Sequence, residues 1–117
     1  MSYTPEVESQ PHTLREYLTP EGVSPFRDWL RSLRDARVRA RIRVRLNRLR
    51  LGNFGDCRSV GDGVHELKIS EGPGYRVYFG NLGPTVILLL YGGDKRKQAA
   101  TIQTAKDYWR DYQGRAQ

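Results

Sequence analysis

The sequence predicts an α+β domain in which a small, mostly antiparallel sheet carries helices on one face. A short strand and two helical segments come first, three strand-like segments joined by tight turns follow, and an amphipathic helix comes last. Helices and strands that are grouped rather than alternating are typical of this class. We expect residues 12–117 to form one domain, because the length suits a single core. Residues 1–11 hold two prolines, two glutamates and few apolar side chains, so we expect a disordered tail there.

The first strand and the first helix are predicted from residues 13–18 and from the segment after Ser24. Apolar and polar residues alternate only weakly in residues 13–18, but the composition favours a strand. Ser24 suits the capping position at a helix N-terminus, and Pro25 is tolerated in the first turn. Apolar residues then recur at helical spacing as far as Leu33, which predicts the helix.

Residues 36–51 have a pattern that fits either a strand or a helix. Arginine alternates with apolar residues, as in a strand, but Val38, Ile42, Leu46 and Leu49 also fall on one helical stripe. The length of the segment, the helix propensity of Ala and Arg, and the stop signal of Gly52-Asn53 favour a helix.

This second helix would place arginines of like charge four residues apart, as at Arg37, Arg41 and Arg45. Each such pair destabilises a helix by about 0.2–0.5 kcal/mol. Two explanations are open. The arginines could face a bound polyanion, or they could be a solvated surface on which the long side chains cover apolar area.

The second half of the chain predicts three strands and a final helix. Residues 64–69 form a strand after a Gly-Asp-Gly turn, and residues 75–79 form the next strand after a Gly-Pro-Gly turn. Residues 85–91 are apolar on both faces, so we expect a central, buried strand. A basic loop over residues 92–97 leads to a helix over about residues 99–112, with one apolar side.

The charge and composition of the chain limit its partners and location. Twenty Lys and Arg against 13 Asp and Glu give a net charge of +7. Such an excess attracts nucleic acid, an anionic membrane or an acidic protein, although it can also serve solubility alone. The one cysteine, Cys57, cannot form an intrachain disulfide and is expected to be an inert, small side chain. With no apolar run near 20 residues and no secretory signal, a cytoplasmic protein without membrane contact is expected.

Several kinds of site lack their sequence motifs. The chain has no CxxC, no HExxH and no cluster of histidine and aspartate, so a zinc site has no support. The glycine-rich motifs that bind nucleotides are missing, and with two histidines a serine nucleophile cannot be argued. We therefore expect no metal and no cofactor.

Cations are concentrated on one part of the predicted sheet. Lys68 lies on one strand, Arg76 on the next, and Lys95, Arg96 and Lys97 lie in the basic loop after the third strand. Fixed cations can hold a phosphodiester and stabilise the extra charge of its transition state. In RNA the 2′-hydroxyl supplies the nucleophile, so a base and an acid would complete the reaction. The candidates are His65, Glu66, Lys68 and Lys95.

Each of these residues also has a structural explanation. Charged residues on a solvated strand face are usually only surface, and for Arg76 and Lys95 we give that explanation equal weight. For His65, which lies near the apolar Val64 and Leu67, packing in the core is the better explanation.

Two long motifs resemble a known family. HELKISEGPGYRVYF and TVILLLYGGDKRKQAATIQTAKDYW resemble the HigB-like addiction module killer branch of the RelE/ParE toxin superfamily. The upstream PFRDWLRSLRD and LGNFGD are similar to the two-helix hairpin of that branch, so the likeness covers about residues 13–112.

The resemblance implies a RelE/ParE-like fold, with an N-terminal helical hairpin and a C-terminal helix packed on the sheet. It implies a type II toxin that cleaves messenger RNA on the ribosome without a metal, an antitoxin with a helix-turn-helix domain, and contact with operator DNA only through that complex. Arg76 falls on the catalytic arginine of RNA-cleaving members, and Lys68 and Lys95 fall near their basic residues. The residues expected to bind RNA are Arg96, Lys97, Arg37, Arg41, Arg45 and Arg48.

Two other functions stay open. Some members of the superfamily inhibit DNA gyrase without being enzymes, and the tyrosine or histidine that other members place near the last helix has no counterpart here. A plain nucleic-acid-binding module is the third reading, and it predicts binding that weakens steeply with salt.

Overall fold

A computed structural model describes residues 11–70 and 72–115. Apart from Pro11, the predicted disordered tail of residues 1–11 lies outside the described residues. The elements are, in chain order, β1 (Thr13–Glu16), α1 (Pro25–Ser32), α2 (Ala36–Arg50), β2 (Cys57–Gly61), β3 (Val64–Ile69), β4 (Tyr75–Asn81), β5 (Val86–Asp94), a 3₁₀ turn (Lys95–Lys97) and α3 (Gln98–Arg115). The predicted α+β class is confirmed.

The five strands form one mixed sheet in the order β1-β5-β4-β3-β2. β1 pairs with β5 in parallel, and the other pairs are antiparallel, which confirms a mostly antiparallel sheet. β5 lies between β1 and β4, and its residues Ile87 to Leu90 are buried on both faces, as their apolar character predicts.

The two first helices form where the sequence predicts them. The Ser24 hydroxyl accepts a hydrogen bond from the Arg27 N–H at 3.1 Å, and this caps α1. Residues 36–50 are helical rather than extended, and Asp35 caps α2. The stripe of α2 that contains Ile42 and Leu49 is buried, because only a helix brings these side chains to one side.

Helices cover both faces of the sheet, so the prediction that they lie on one face is wrong. α1 and α2 pack on the face that carries Val77 and Phe79. α3 packs on the opposite face, against Tyr78. The physical reason is that β4 and β5 are apolar on both sides, and a sheet of that kind needs cover on both.

Two glycines allow the helices to approach the sheet. A Cβ atom on Gly92 would lie 2.1 Å from the Trp29 ring of α1, and one on Gly80 would lie 2.4 Å from the Trp109 ring of α3. Both distances are far below van der Waals contact, so each tryptophan packs directly on the strand backbone.

β2 was not predicted from the sequence, and it forms a hairpin with β3. The turn between them has positive φ at both central residues, 57° at Asp62 and 84° at Gly63. A two-residue turn of this kind matches the twist of paired strands and favours Asp-Gly. No helix within the described ranges is long and apolar enough to cross a membrane.

Candidate functional site

The strand register brings several charged side chains to one face of the sheet. Lys68 of β3 lies directly opposite Arg76 of β4. In the neighbouring row, Glu66 of β3 has Arg58 of β2 on one side and Tyr78 of β4 on the other. Because side chains of paired residues share a face, all five lie on the face that α3 covers.

Four of these side chains, all except Tyr78, line a pocket of about 320 Å³ beside the start of α3. Its lining residues are Asp56, Arg58, Glu66, Lys68, Arg76 and Gln98. The pocket therefore combines three cations with two carboxylates, and the N-terminus of α3, where Gln98 lies, adds partial positive charge. The concentration of cations that the sequence predicts is present at this point of the sheet.

Glu66 is the buried centre of the pocket, with 3% of its surface exposed. Its Oε1 accepts a hydrogen bond from Arg58 Nε at 2.8 Å. Its Oε2 accepts one from the Tyr78 hydroxyl at 2.9 Å and one from Gln98 Nε2 at 2.8 Å. Burial acts to raise the pKa of Glu66, but the three hydrogen bonds outweigh it, and the pKa lies below its ordinary value. Glu66 is therefore a charged anchor for its neighbours.

Arg76 is buried too, and one of its nitrogens lacks a partner. Its Nη1 donates to the Gly74 carbonyl at 2.8 Å. Its Nε lies 3.8 Å from Glu66 Oε2, which is beyond hydrogen-bond distance, and has no other partner among the residues described. An unsatisfied buried donor is costly, by about 1–3 kcal/mol, so a group of this kind favours the binding of an acceptor oxygen.

The basic loop lies next to this pocket but does not line it. Lys95 approaches Gly74, because its Cβ lies 4.0 Å from where a Gly74 Cβ would be. Arg96 is exposed and forms an ion pair with Asp94 at 2.7 Å. Lys97 is exposed at the end of the 3₁₀ turn. The structure thus places Lys95 near Gly74, whose carbonyl accepts from Arg76, and it leaves Arg96 and Lys97 exposed outside the pocket lining.

His65 lies on the other face of the sheet. Its ring stacks on Phe79, with 5.4 Å between centroids, and its Nε2 is 3.3 Å from Asn81 Nδ2. Phe79 belongs to the core under α1 and α2. The structure therefore separates His65 from Arg76 and Lys68, and it agrees with the explanation that His65 packs against the core.

Three arginines of α2 lie along a second groove, of about 400 Å³. Arg41, Arg45 and Arg48 line one side of it, and Asp56 and Lys68 line the other. Because Asp56 and Lys68 also line the first pocket, the two spaces meet at the edge of the sheet.

Arg37, another of the expected RNA-binding residues, lies elsewhere on α2. Its side chain is 94% exposed and forms an ion pair with Asp35 at 3.7 Å, and it does not line the groove. Of the four arginines of α2 predicted to bind RNA, three are therefore brought together.

Sequence reasoning missed Arg58, Asp56 and Gln98 as members of the site. Arg58 lies on the strand that was not predicted, and Asp56 precedes that strand. The Asp-Gly pair of the hairpin turn was the signal that could have found them, because a strand on one side of such a turn implies a partner on the other. No sequence pattern pointed to Gln98, because its hydrogen bond to Glu66 joins residues that are 32 positions apart in the chain.

The arrangement can bind an anion and can exchange protons with it. Arg76, Lys68 and Arg58 supply positive charge, and Asp56 supplies an exposed carboxylate. Within the described part of the chain, no group of three His, Cys, Asp or Glu side chains could hold a metal ion.

A protein of Haemophilus influenzae is similar to this chain. The two are 49% identical over 81 residues, which cover 69% of this chain and 82% of the relative. The relative is described as an uncharacterized protein. No model of a known protein family matches the chain.

Proposed function

The chain belongs to one family with the Haemophilus influenzae protein, and we propose that it is a metal-independent endoribonuclease that cleaves messenger RNA, acting as the toxin of a type II toxin–antitoxin system. One observation carries this proposal. The buried Arg76, with an unpartnered Nε, lies opposite Lys68 in a pocket with an excess of cations. The motifs that resemble HigB-like toxins of the RelE/ParE superfamily, together with the α+β fold, support it.

The reaction would use the 2′-hydroxyl of the RNA as nucleophile. The 2′-oxygen attacks the adjacent phosphorus, the bond from phosphorus to the 5′-oxygen breaks, and the products are a 2′,3′-cyclic phosphate and a free 5′-hydroxyl. Arg76 binds the non-bridging oxygens, whose negative charge grows in the transition state. Lys68 lies directly opposite and adds a second cation.

Proton transfer would involve the exposed groups of the pocket. The proton of the 2′-hydroxyl goes to a carboxylate, for which Asp56 is the candidate, and the leaving 5′-oxygen takes a proton from a lysine, Lys68 or Lys95. Glu66 does not serve as the base, because it is buried, both its oxygens accept hydrogen bonds and its pKa is lowered.

The groove beside α2 would hold the rest of the RNA. Arg41, Arg45 and Arg48 lie on the continuation of the pocket around the sheet edge, so a strand bound at Arg76 can continue toward them. The same cations suit ribosomal RNA or an acidic antitoxin. The partners we propose are an antitoxin with a helix-turn-helix domain, the ribosome and its messenger RNA in the cytoplasm, and operator DNA through the antitoxin complex.

Two experiments test the proposal. In the first, expression is induced in bacteria and the ends of the cellular RNA are mapped. In the second, the purified protein is incubated with an RNA oligonucleotide in EDTA. Replacement of one preorganised charge-stabilising group costs about 10²–10³ in turnover, so we expect Arg76→Ala to abolish growth arrest and cleavage. If Asp56 and Lys68 transfer protons, Asp56→Asn and Lys68→Ala should each lower the turnover about 10²-fold or more. The control is Arg110→Ala, an exposed arginine of α3 that pairs with Asp107 away from the pocket.

Three results would contradict the proposal. Full toxicity and cleavage in Arg76→Ala and Lys95→Ala would place the site elsewhere. Growth arrest with intact RNA and inhibited DNA supercoiling would indicate a gyrase poison. RNA binding that weakens steeply with salt, with neither arrest nor cleavage, would indicate a binding module.

A further inference from the structure

Two arginines of the pocket share one buried carboxylate. Arg58 Nε donates to Oε1 of Glu66 at 2.8 Å, and Arg76 Nε faces Oε2 at 3.8 Å. The two arginines come from β2 and β4, which flank β3 on either side. Glu66 therefore holds a cation from each neighbouring strand.

Arg58 is held in a way that leaves most of its donors available. Its only hydrogen bond within the described residues is made through Nε, and its side chain is 62% exposed. The two terminal nitrogens make no hydrogen bond to a described residue, and the Arg58 side chain lines the pocket. A guanidinium fixed at Nε presents these nitrogens as a planar fork, the geometry that matches phosphate oxygens.

A simple surface ion pair does not account for this arrangement. Exposed ion pairs contribute little, but this one ends on a carboxylate that is 3% exposed. Glu66 is already bound by Tyr78 and Gln98 and faces Arg76. Glu66 has one negative charge and faces two arginines, and with Lys68 the pocket holds three cations against the carboxylates of Glu66 and Asp56, so positive charge is in excess.

We infer that Arg58 is a second phosphate-binding side chain of the pocket and that Glu66 positions it beside Arg76, an inference that rests on the proposed function. The Nε atoms of both arginines face one carboxylate, so the two guanidinium groups lie closer together than the roughly 10 Å that separates alternate strands. Arg76 and Arg58 thus suit two phosphates of one RNA strand, with Arg76 on the scissile phosphate and Arg58 on its neighbour. Glu66 is a positioning residue, because it acts only through the two arginines.

The contact is tested by binding of an RNA oligonucleotide whose 2′-hydroxyls are methylated, so that the nucleophile is blocked, with fluorescence anisotropy as the readout. Arg58→Ala should raise Kd about tenfold, as expected for the loss of one charge-assisted hydrogen bond. The plot of log binding constant against log salt concentration should become less steep by about 0.7. Arg58→Lys should keep the slope but bind several-fold more weakly, since it lacks the fork.

The matched control is Arg27→Ala. Arg27 is also an exposed arginine on a carboxylate, at 2.9 Å from Glu16, but it lies on α1 away from the pocket. It should bind the methylated RNA like the wild type. If Arg58→Ala binds with the affinity and salt slope of Arg27→Ala, Arg58 is not a phosphate ligand and the inference is overturned.

A double-mutant cycle tests the positioning role of Glu66. If Glu66 acts through Arg58 as well as Arg76, Glu66→Gln should weaken binding less in Arg58→Ala than in the wild type, and the loss that remains is the part that acts through Arg76. If the fold-changes in Kd of the two single variants simply multiply in the double variant, Glu66 does not position Arg58. Should Glu66→Gln fail to fold, NMR of the wild type decides the question. Inorganic phosphate should shift the Nε–H resonances of Arg58 and Arg76, and an unmoved Arg58 resonance would overturn the inference.

Cleavage of unmodified RNA separates this inference from the proposed function. Wild-type protein that binds methylated RNA through Arg58 but cleaves no RNA would refute the nuclease and support the Arg58 contact. Protein that cleaves RNA, but whose Arg58→Ala variant has full affinity, would refute the Arg58 contact and leave the nuclease standing.

Discussion

Replacement of Tyr78 by phenylalanine isolates one hydrogen bond of the buried pocket. Tyr78 is fully buried, and its hydroxyl donates to Glu66 Oε2 at 2.9 Å. Burial, and then the bond to Glu66, raise the pKa of Tyr78 above its ordinary value, so the phenol is the donor at neutral pH. Tyr78→Phe leaves the ring in place and removes the donor.

The expected loss follows from the charge of the acceptor. Hydrogen bonds to ionised groups contribute about 1.5–3 kcal/mol. Gln98 still donates to the same oxygen at 2.8 Å, so we expect the lower end of this range, about 1.5–2 kcal/mol, at pH 7. For a domain of this size that corresponds to a fall in Tm of about 6–8 °C.

The loss should depend on pH in a defined direction. The pKa of Glu66 is lowered in the folded state, so the stability it contributes is present above its unfolded pKa. That stability disappears as the pH falls through the folded pKa and the carboxyl becomes protonated. The difference between Tyr78→Phe and wild type should therefore shrink toward the value for a neutral hydrogen bond, about 0.5–1.5 kcal/mol, between pH 7 and an acid pH below the folded pKa of Glu66.

Urea unfolding of both proteins at the two pH values, followed by circular dichroism, measures this difference. Tyr17→Phe is the matched control, since the Tyr17 hydroxyl donates to Asp111 at 2.6 Å but the Asp111 side chain is 35% exposed. Water can replace the lost donor there, so the control should lose less at pH 7. A loss below about 0.5 kcal/mol in Tyr78→Phe, or one that is equal at both pH values, would refute the argument.

Three further predictions concern packing, reactivity and charge. Gly92→Ala should destabilise the fold by about 3 kcal/mol or more in urea unfolding, because its Cβ would lie 2.1 Å from the Trp29 ring; an unchanged midpoint would contradict the packing. Burial raises the pKa of the Cys57 thiol to about 11. Alkylation by iodoacetamide at neutral pH should therefore be much slower in the folded protein than in urea-unfolded protein, and equal rates would contradict this prediction. Arg48→Ala should lower the salt slope of RNA binding by about 0.7, whereas Arg37→Ala, outside the groove, should not, which a salt titration measures.

The sequence predicted most of the elements because their patterns were strong. β5 is apolar on both faces, and the stripe of α2 through Ile42 and Leu49 can be made only by a helix. β2 was missed because the segment of residues 57–61 is short and mostly polar, and an edge strand needs to bury few of its side chains. The arrangement of helices on both faces was also missed. Strands that are apolar on both sides indicate that both faces of the sheet are covered, but they do not indicate which helix packs on which face.

The candidate site was predicted in part, for a related reason. Lys68 and Arg76 lie on consecutive strands, so an antiparallel register could pair them, as it does. The position of His65 follows from the same register, because neighbours along a strand point to opposite faces and Glu66 takes the face of the pocket. The contact between Gln98 and Glu66 depends on how α3 packs, which no local pattern encodes.

The order of the strands has a consequence for how the protein forms during synthesis. All residues that line the pocket, from Asp56 to Gln98, come from a run of hairpins and the turn after them, so their contacts are local and are expected to form fast. β1 is made first but pairs with β5, more than 70 positions later. The N-terminal strand and its two helices therefore have no sheet to dock on until the second half of the chain has left the ribosome, and we expect their docking to be the last step.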